Sequence, residues 1–175
     1  MTKDPIGFEG GDVNLYAYVK NNAVNGTDPY GLWVSYIHKN ITRAAAIKLG
    51  CSKKAEALAE ANAGVDNIQD PKYAYLHAMS NGRNPEKLAN DIANYYNVIN
   101  KGNSSCNLGD IATALHAVQD SATPAHSGFK PWSNRWWEYP KHFGDLFPRF
   151  KCTDAYSATY TILSGAIGRC PCFCE

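Results

Sequence analysis

The sequence has no hydrophobic run long enough to cross a membrane, and its first residues lack the apolar core of a signal peptide, so any export must use another route. Its 17 basic and 16 acidic residues leave a formal net charge of +1. This balance argues against a bulk electrostatic attraction to nucleic acid or anionic lipid. Neither strand-type alternation nor an internal repeat follows residue 33. The sequence therefore predicts one domain with a short appendage, because a hydrophobic content of 45% in 175 residues is enough for one core.

Cysteine is the residue type in clear excess. Six cysteines are many for a protein of a reducing cytosol, which predicts disulfides and an oxidising final compartment. The sequence leaves their pairing open. The tail Cys170-Pro171-Cys172-Phe173-Cys174 could instead hold a soft metal ion, although C-x-C is not the usual spacing of a zinc knuckle.

Apolar residues at helical spacing predict an all-α bundle after residue 33. The predicted helices are 39–49, ended by Gly50; 53–63, ended near Gly64; one capped by Asn84 and ended by Gly102; 108–121; and one capped by Thr153 or Asp154. Inward positions in the first of them are Ile37, Ile41, Ala44 or Ala45, and Ile47.

The helix predicted over 108–121 carries the strongest chemical signal. His116 and Asp120 are four residues apart, so both project from one helix face and can bind one ion. Leucine, isoleucine and valine at helical spacing bury the neighbouring face of this helix. Pro124 then breaks the helix and places His126 near the first two without sharing their site. Two imidazoles and a carboxylate in this arrangement indicate a transition-metal cluster suited to zinc.

The first 32 residues are rich in Gly, Asn, Asp and Pro around the strand-like Leu15-Tyr16-Ala17-Tyr18-Val19, and they cannot form a core alone. Residues 4–32, which end in Asp28-Pro29-Tyr30-Gly31-Leu32, resemble the end of the RHS-repeat core of polymorphic toxins, with Ala23 at a position where proline is more usual. Such cores form a β-shell around a variable C-terminal toxin and end in a D-P-x-G-L motif that is cut autoproteolytically. The resemblance implies a β-rich remnant over 1–32, cleavage between Leu32 and Trp33, and a toxin domain over 33–175.

The order of histidines and carboxylates after Trp33 resembles the superfamily of zinc-dependent phospholipases C and fungal zinc nucleases. Those enzymes hold three zinc ions in a helical bundle, and their mature N-terminal tryptophan binds metal through its amine and carbonyl. The similarity spans residues 33–145 and uses all five histidines of the chain.

The resemblance implies three zinc sites. The first set is Asp66, His77, His116 and Asp120; the second is Trp33, through its backbone, His38 and the bridging Asp120; the third is His126, His142 and Asp145. Two departures leave questions open. Asp145 follows its histidine at i+3 rather than i+4, and the short gap before His77 makes Asp70 a competitor of Asp66.

Cleavage and metal binding support one another physically. A peptide nitrogen has its lone pair delocalised and is a poor zinc ligand, whereas a freed α-amine can deprotonate and coordinate. We therefore expect cleavage after Leu32 to complete the second site. The resemblance implies hydrolysis of phosphodiester bonds by zinc-activated water, with Asp66 and Asp120 as the catalytic carboxylates and each imidazole steadied by an outer acceptor.

The substrate remains open between two classes. An aromatic segment over 129–137, in which Phe129 and Trp132 are candidate substrate-binding residues, could enter a membrane interface or stack on bases. A phospholipase C acting on membrane phospholipid is favoured, and a nuclease of single-stranded nucleic acid is the alternative. A non-enzymatic helical module stabilised by zinc is a third possibility, although structural zinc sites are usually rich in cysteine.

The toxin resemblance also implies partners and a location. It implies a cognate immunity protein, the RHS core shell of the parent protein, and a secreted effector delivered by a contact-dependent or type VI apparatus. The periplasm or membrane face of the target cell is the expected place of action, rather than its cytoplasm.

Overall fold

The computed structural model describes residues 35–123, 126–132 and 152–175, and over these residues the chain is all-α. They form five α-helices, which are α1 (Ser35–Lys48), α2 (Ser52–Gly64), α3 (Pro85–Ser104), α4 (Leu108–Ser121) and α5 (Cys152–Arg169). Short 3₁₀ segments cover Val65–Asn67, Pro71–His77 and Pro171–Cys174. Extended pairing in the described residues is limited to one isolated bridge between Ser80 and Pro131. None of the described helices combines the length and hydropathy that a membrane crossing requires.

Helix α4 is the central element, since it packs against each of the other four helices. It begins and ends where the sequence predicts, and Asn107 caps it by accepting hydrogen bonds from the backbone N–H groups of Gly109 and Asp110. Nine residues of α4 between Ile111 and Asp120 are buried. Alanines between its larger apolar side chains let the neighbouring helices approach closely. The largest apolar side chains of the main core are Leu58, Ile111, Leu115 and Leu163.

Several predicted helix boundaries and inward positions need correction. Helix α1 begins at Ser35, four residues before the predicted start, and α5 begins at Cys152 rather than after a cap at Thr153 or Asp154. Of the predicted inward residues of α1, Ile41 and Ala45 are buried, but Ile47 is 54% exposed. Ala45 and Ala46 in the same turn are fully buried, so Ile47 lies on the exposed side of this turn.

Helix α3 begins at Pro85, directly after the Asn84 cap, as predicted, but it does not end at Gly102. It continues to Ser104, and Gly102 is a buried residue of its last turn. A Cβ at this position would collide with the Cβ of Ala114 and lie 2.8 Å from the carbonyl oxygen of Asp110. Gly102 therefore permits the close approach of α3 and α4 rather than terminating a helix.

Two disulfides fasten the C-terminal segment to the bundle. Cys174 is bonded to Cys51 at the start of α2, and Cys170 is bonded to Cys106 in the connection between α3 and α4. Cys172 is a free, exposed thiol. The expectation of disulfides is confirmed, and the alternative of a soft metal site in the tail is wrong, because two of its three sulfurs are already paired.

Candidate metal centre

Six side chains predicted as metal ligands lie together inside the bundle. His38 comes from α1, Asp66 from the 3₁₀ turn after α2, His77 from the end of the second 3₁₀ segment, His116 and Asp120 from α4, and His126 from the loop after α4. The four imidazoles are at most 1% exposed, and Asp120 is fully buried. Five segments of the chain thus bring their polar side chains to one interior position.

Three of these groups form a nearly equilateral triangle of ligand atoms. Nδ1 of His77 lies 3.0 Å from Nε2 of His116, and each of these nitrogens lies 3.1 Å from Oδ2 of Asp120. Zinc bonds of 2.0–2.1 Å in a tetrahedral site require neighbouring ligand atoms to be about 3.3 Å apart. The triangle is therefore close to one face of a tetrahedral zinc site.

Outer hydrogen bonds indicate which nitrogen of the His77 and His116 rings carries the proton. Nε2 of His77 is 3.1 Å from the main-chain carbonyl oxygen of Ile68, so this nitrogen carries the proton and donates it. Nδ1 of His116 is 3.1 Å from the main-chain carbonyl oxygen of Asn62 and must donate as well. In the neutral rings the inward nitrogens of both therefore present lone pairs, as metal-binding histidines do when a carbonyl holds the other nitrogen.

This arrangement fits a cation. Two lone pairs and a carboxylate oxygen within about 3 Å of one another repel unless positive charge lies among them. A single proton can bridge one side of the triangle, whereas a metal ion is bound by all three atoms. The described residues therefore form a buried His/Asp cluster that could bind a metal ion.

A second group of ligand atoms adjoins the first and shares His116. It consists of His38, Asp66 and His116, with Oδ1 of Asp66 lying 3.6 Å from Nε2 of His116. Nε2 of His38 lies 3.3 Å from Oδ1 of Asp120, whose other oxygen belongs to the triangle. Asp120 is thus positioned between the two groups with one oxygen toward each.

His126 lies at the edge of the cluster. Its Nδ1 is 2.7 Å from the main-chain carbonyl oxygen of His77 and 3.7 Å from Oδ2 of Asp120. Because the carbonyl can only accept, Nδ1 carries the proton and Nε2 the lone pair. The remaining residues predicted for the metal sites and for cleavage, Leu32, Trp33, His142 and Asp145, lie outside the described residues.

Burial and neighbouring charges shift the pKa values of the cluster in different directions. Burial alone would raise the pKa of Asp120, but the charges of His116 and His126 outweigh it and hold this pKa well below its ordinary range. Burial is the main cause that lowers the pKa of His116. Burial opposes charge on His38 too, yet its hydrogen bond and charge interaction with Asp120 raise its pKa. An ionised Asp120 can bind a cation, whereas His116 and His38 can do so only when the ring nitrogen that faces the cluster is unprotonated.

The two competing loop aspartates have different surroundings. Asp66 points into the cluster, where its Oδ2 accepts a hydrogen bond from the Ser35 hydroxyl at 2.7 Å. Asp70 is exposed, caps the second 3₁₀ segment through the N–H of Lys72, and pairs with the ammonium of the same lysine at 2.8 Å. The structure therefore places Asp66, and not Asp70, at the candidate metal centre.

The two candidate substrate-binding aromatics are placed differently. The ring of Trp132 lies beside that of His77, with centroids 5.4 Å apart, so Trp132 borders the cluster. Phe129 packs edge to face on Tyr95 at 5.1 Å and joins a small apolar cluster. In the part of the chain that is described, Trp132 is the better-placed of the two to contact a bound molecule.

Sequence reasoning missed a buried polar network next to the histidines. It consists of Thr42 of α1, Asn62 of α2, Gln119 of α4 and Thr159 of α5, all fully buried. Nδ1 of His38 lies 2.6 Å from Oε1 of Gln119, and the side chain of Asn62 contacts both Gln119 and His116. One available signal was the position of Gln119 between His116 and Asp120, where the spacing turns its side chain toward the same interior face.

Comparison with known proteins adds no relative: no family model matches the chain, and neither the curated proteins nor the solved structures contain a significant match.

Proposed function

We propose that this chain is a zinc-dependent phosphodiester hydrolase, most specifically a phospholipase C acting on membrane phospholipid, and the toxin part of an RHS-type polymorphic toxin. The observation that carries the proposal is the cluster in which His77, His116 and Asp120 converge with their acceptor atoms facing inward. Histidine and carboxylate ligands are typical of catalytic zinc sites, whereas structural sites are closed and usually contain cysteine.

Zinc is the proposed metal because of the donor set. Imidazole nitrogens and carboxylate oxygens suit zinc, and the described cysteines lie apart from the cluster, four of them in disulfides. When bound, zinc supplies Lewis acidity toward a phosphoryl oxygen and toward attacking water. The number of ions remains a proposal, with three expected from the resemblance.

The first residues of α1 support the second proposed site. Ser35, the first residue of α1, donates its hydroxyl to Asp66, and His38 follows one turn later on the buried side of the helix. Trp33 lies outside the described residues, but only Val34 separates it from Ser35 in the sequence, so the length of the connection limits how far a freed α-amine could lie from Asp66. This short connection supports a role for the new N-terminus as a ligand.

Each chain group has a definable task in this proposal. Asp120 would hold the metal centre together because one carboxylate spans both ligand groups. Oδ1 of Asp66 is buried and accepts no hydrogen bond from the described residues, so it is available to orient a water or to bind metal. Trp132, beside His77, would contact the substrate's apolar or aromatic part.

Phospholipid is favoured over nucleic acid because the disulfides point to an oxidising compartment, such as the face of a membrane outside the cytoplasm. The position of Trp132 at the cluster is the observation that favours the alternative, because a single aromatic ring can stack on a base. The near-neutral net charge provides little attraction for a polyanion.

Turnover assays with both substrate classes test this function. The cleaved, zinc-loaded protein is incubated with phospholipid vesicles and, separately, with single-stranded DNA, and the released diacylglycerol or DNA fragments are quantified. We expect lipid hydrolysis that Asp66→Asn abolishes and Asp70→Asn leaves intact. Hydrolysis of DNA alone would select the nuclease alternative, and a zinc-loaded, folded protein that hydrolyses neither would favour the non-enzymatic zinc-stabilised module.

A further inference from the structure

A buried hydrogen-bond network connects two histidines of the cluster that do not hydrogen-bond to each other. The side-chain amide of Gln119 uses all four of its hydrogen-bonding positions. Oε1 accepts from Nδ1 of His38 at 2.6 Å and from Nδ2 of Asn62 at 3.2 Å. Nε2 donates to the hydroxyls of Thr42 at 3.0 Å and Thr159 at 2.9 Å. Asn62 completes the connection, since its Oδ1 lies 3.2 Å from Nδ1 of His116.

The proton positions along this path follow from one unambiguous group, the main-chain carbonyl of Asn62. A carbonyl only accepts, so Nδ1 of His116, 3.1 Å away, must carry a proton. The side-chain atom of Asn62 that faces the same nitrogen must then be the oxygen, which turns Nδ2 toward Gln119. The Gln119 atom that faces Nδ2 must be Oε1, and the same Oε1 requires a proton on Nδ1 of His38.

The other histidines need no such path. His77 and His126 each donate directly to a main-chain carbonyl, at Ile68 and His77 respectively. The outer contact described for His38 is to the side-chain amide of Gln119, which could rotate by 180° and reverse donor and acceptor, whereas each of the other three rings also faces a main-chain carbonyl. The tautomer of His38 therefore depends on what holds the Gln119 amide in place.

We propose that Asn62 and Gln119 are positioning residues that couple the tautomer of His38 to that of His116, so that both rings present lone pairs to the metal centre. The proposal rests on the proposed function only in taking the cluster as a metal centre. Asn62 is the informative member, because it controls His38 without touching it.

Asn62→Asp provides a nearly isosteric test. An aspartate still accepts from His116, but it offers an acceptor where Asn62 donates to Gln119. Asn62 Nδ2 also donates to the Thr42 hydroxyl at 2.7 Å, and this hydroxyl can rotate to donate to the carboxylate. The carboxylate repels Oε1 of Gln119, however, which favours rotation of the Gln119 amide, and its NH₂ group then faces Nδ1 of His38. His38 would hold its lone pair on Nδ1 and its proton on Nε2, the atom that lies 3.3 Å from Asp120. A protonated Nε2 cannot bind metal.

Gln119→Glu is the matched control. It introduces the same single negative charge into the same network, but a carboxylate still accepts from both His38 and Asn62. Its second oxygen meets the hydroxyls of Thr42 and Thr159, which can rotate to donate. The control variant should therefore keep the tautomer of His38, although its charge lies closer to that ring.

The experiment reads the tautomers directly. Long-range ¹H–¹⁵N correlation spectra of histidine-labelled, metal-free full chain at mildly alkaline pH separate protonated ring nitrogens from those with lone pairs. Zinc affinity is measured by competition with a chromophoric chelator. We expect the proton of His38 on Nδ1 in the unmodified chain and in Gln119→Glu, and on Nε2 in Asn62→Asp, where zinc affinity falls roughly 10- to 100-fold.

Retention of the Nδ1 proton of His38 in Asn62→Asp, or an equal loss of zinc affinity in both variants, would overturn the proposal. If Asn62→Asp does not fold, Gln119→Leu tests the next link, because it removes the acceptor of His38 and leaves the carbonyl partner of His116. A mixture of His38 tautomers in that variant supports the proposal, and a single Nδ1 tautomer refutes it. A chain that binds no zinc refutes the proposed function, whereas the metal-free spectra still decide the inference.

Discussion

Replacing Asp120 by asparagine should remove most of the stabilisation that zinc gives to the fold. The Asp120 carboxylate is fully buried and lies 3.1 Å from ring nitrogens of His77 and His116 and 3.3 Å from one of His38. It is the one described carboxylate that contacts both ligand groups. Asparagine keeps the shape of the side chain while removing its negative charge.

The magnitude follows from linkage between binding and folding. Zinc at about 1,000 times its dissociation constant stabilises a folded protein by about 4 kcal/mol. For a domain of this size that corresponds to roughly 8–16 °C in the unfolding temperature. Loss of one partner from a buried charged group costs about 3–5 kcal/mol, so the variant should retain less than about 1 kcal/mol of the zinc effect.

The assay is thermal unfolding of chelator-treated protein, followed by circular dichroism with and without added zinc. Asp70→Asn is the control, because Asp70 is exposed and pairs only with Lys72. The control should show the full zinc-dependent rise in unfolding temperature. A full rise in Asp120→Asn, or an equal loss in both variants, would refute the assignment of the metal centre.

Three further outcomes are expected. Gly102→Ala should lower the free energy of unfolding by about 1–3 kcal/mol because its Cβ collides with Ala114, whereas Gly168→Ala, with open space around it, should raise it slightly; denaturant titration of both distinguishes packing from helix propensity. Replacing the Cys51–Cys174 disulfide by serines should cost about 2–5 kcal/mol in the same titration, since it closes a loop of 123 residues, and an unchanged midpoint would contradict this. A chain with cleavage before Trp33 blocked should bind zinc more weakly than the cleaved chain in chelator competition, and equal affinity and stoichiometry would dismiss a ligand role for the α-amine.

The helices were predictable where local signals were strong. Asn84 with Pro85 marks the start of α3, and the apolar spacing over 108–121 predicts α4 with its observed bounds. The prediction that Gly102 ends α3 was wrong because glycine is common both after helices and at close helix contacts. Only the position of Ala114 on the neighbouring helix, a tertiary feature, distinguishes the two cases.

The candidate site was predictable in its ligand types but not in its supporting groups. Histidine and aspartate are few enough that their spacing carries information, and the structure brings six predicted residues together. The choice between Asp66 and Asp70 required tertiary structure, because both follow α2 at plausible distances. Asn62 was missed because an amide within an alanine-rich helix usually faces solvent, and its burial depends on where α4 lies.

The central claim is that inward-facing lone pairs of His77 and His116, together with Asp120, hold a metal ion. Anomalous X-ray scattering at the zinc absorption edge, from crystals of the cleaved protein grown with zinc, tests it directly. We expect a peak at about 2.0–2.1 Å from His77 Nδ1, His116 Nε2 and Asp120 Oδ2. An ordered cluster without a peak, in zinc-saturated crystals, would contradict the claim.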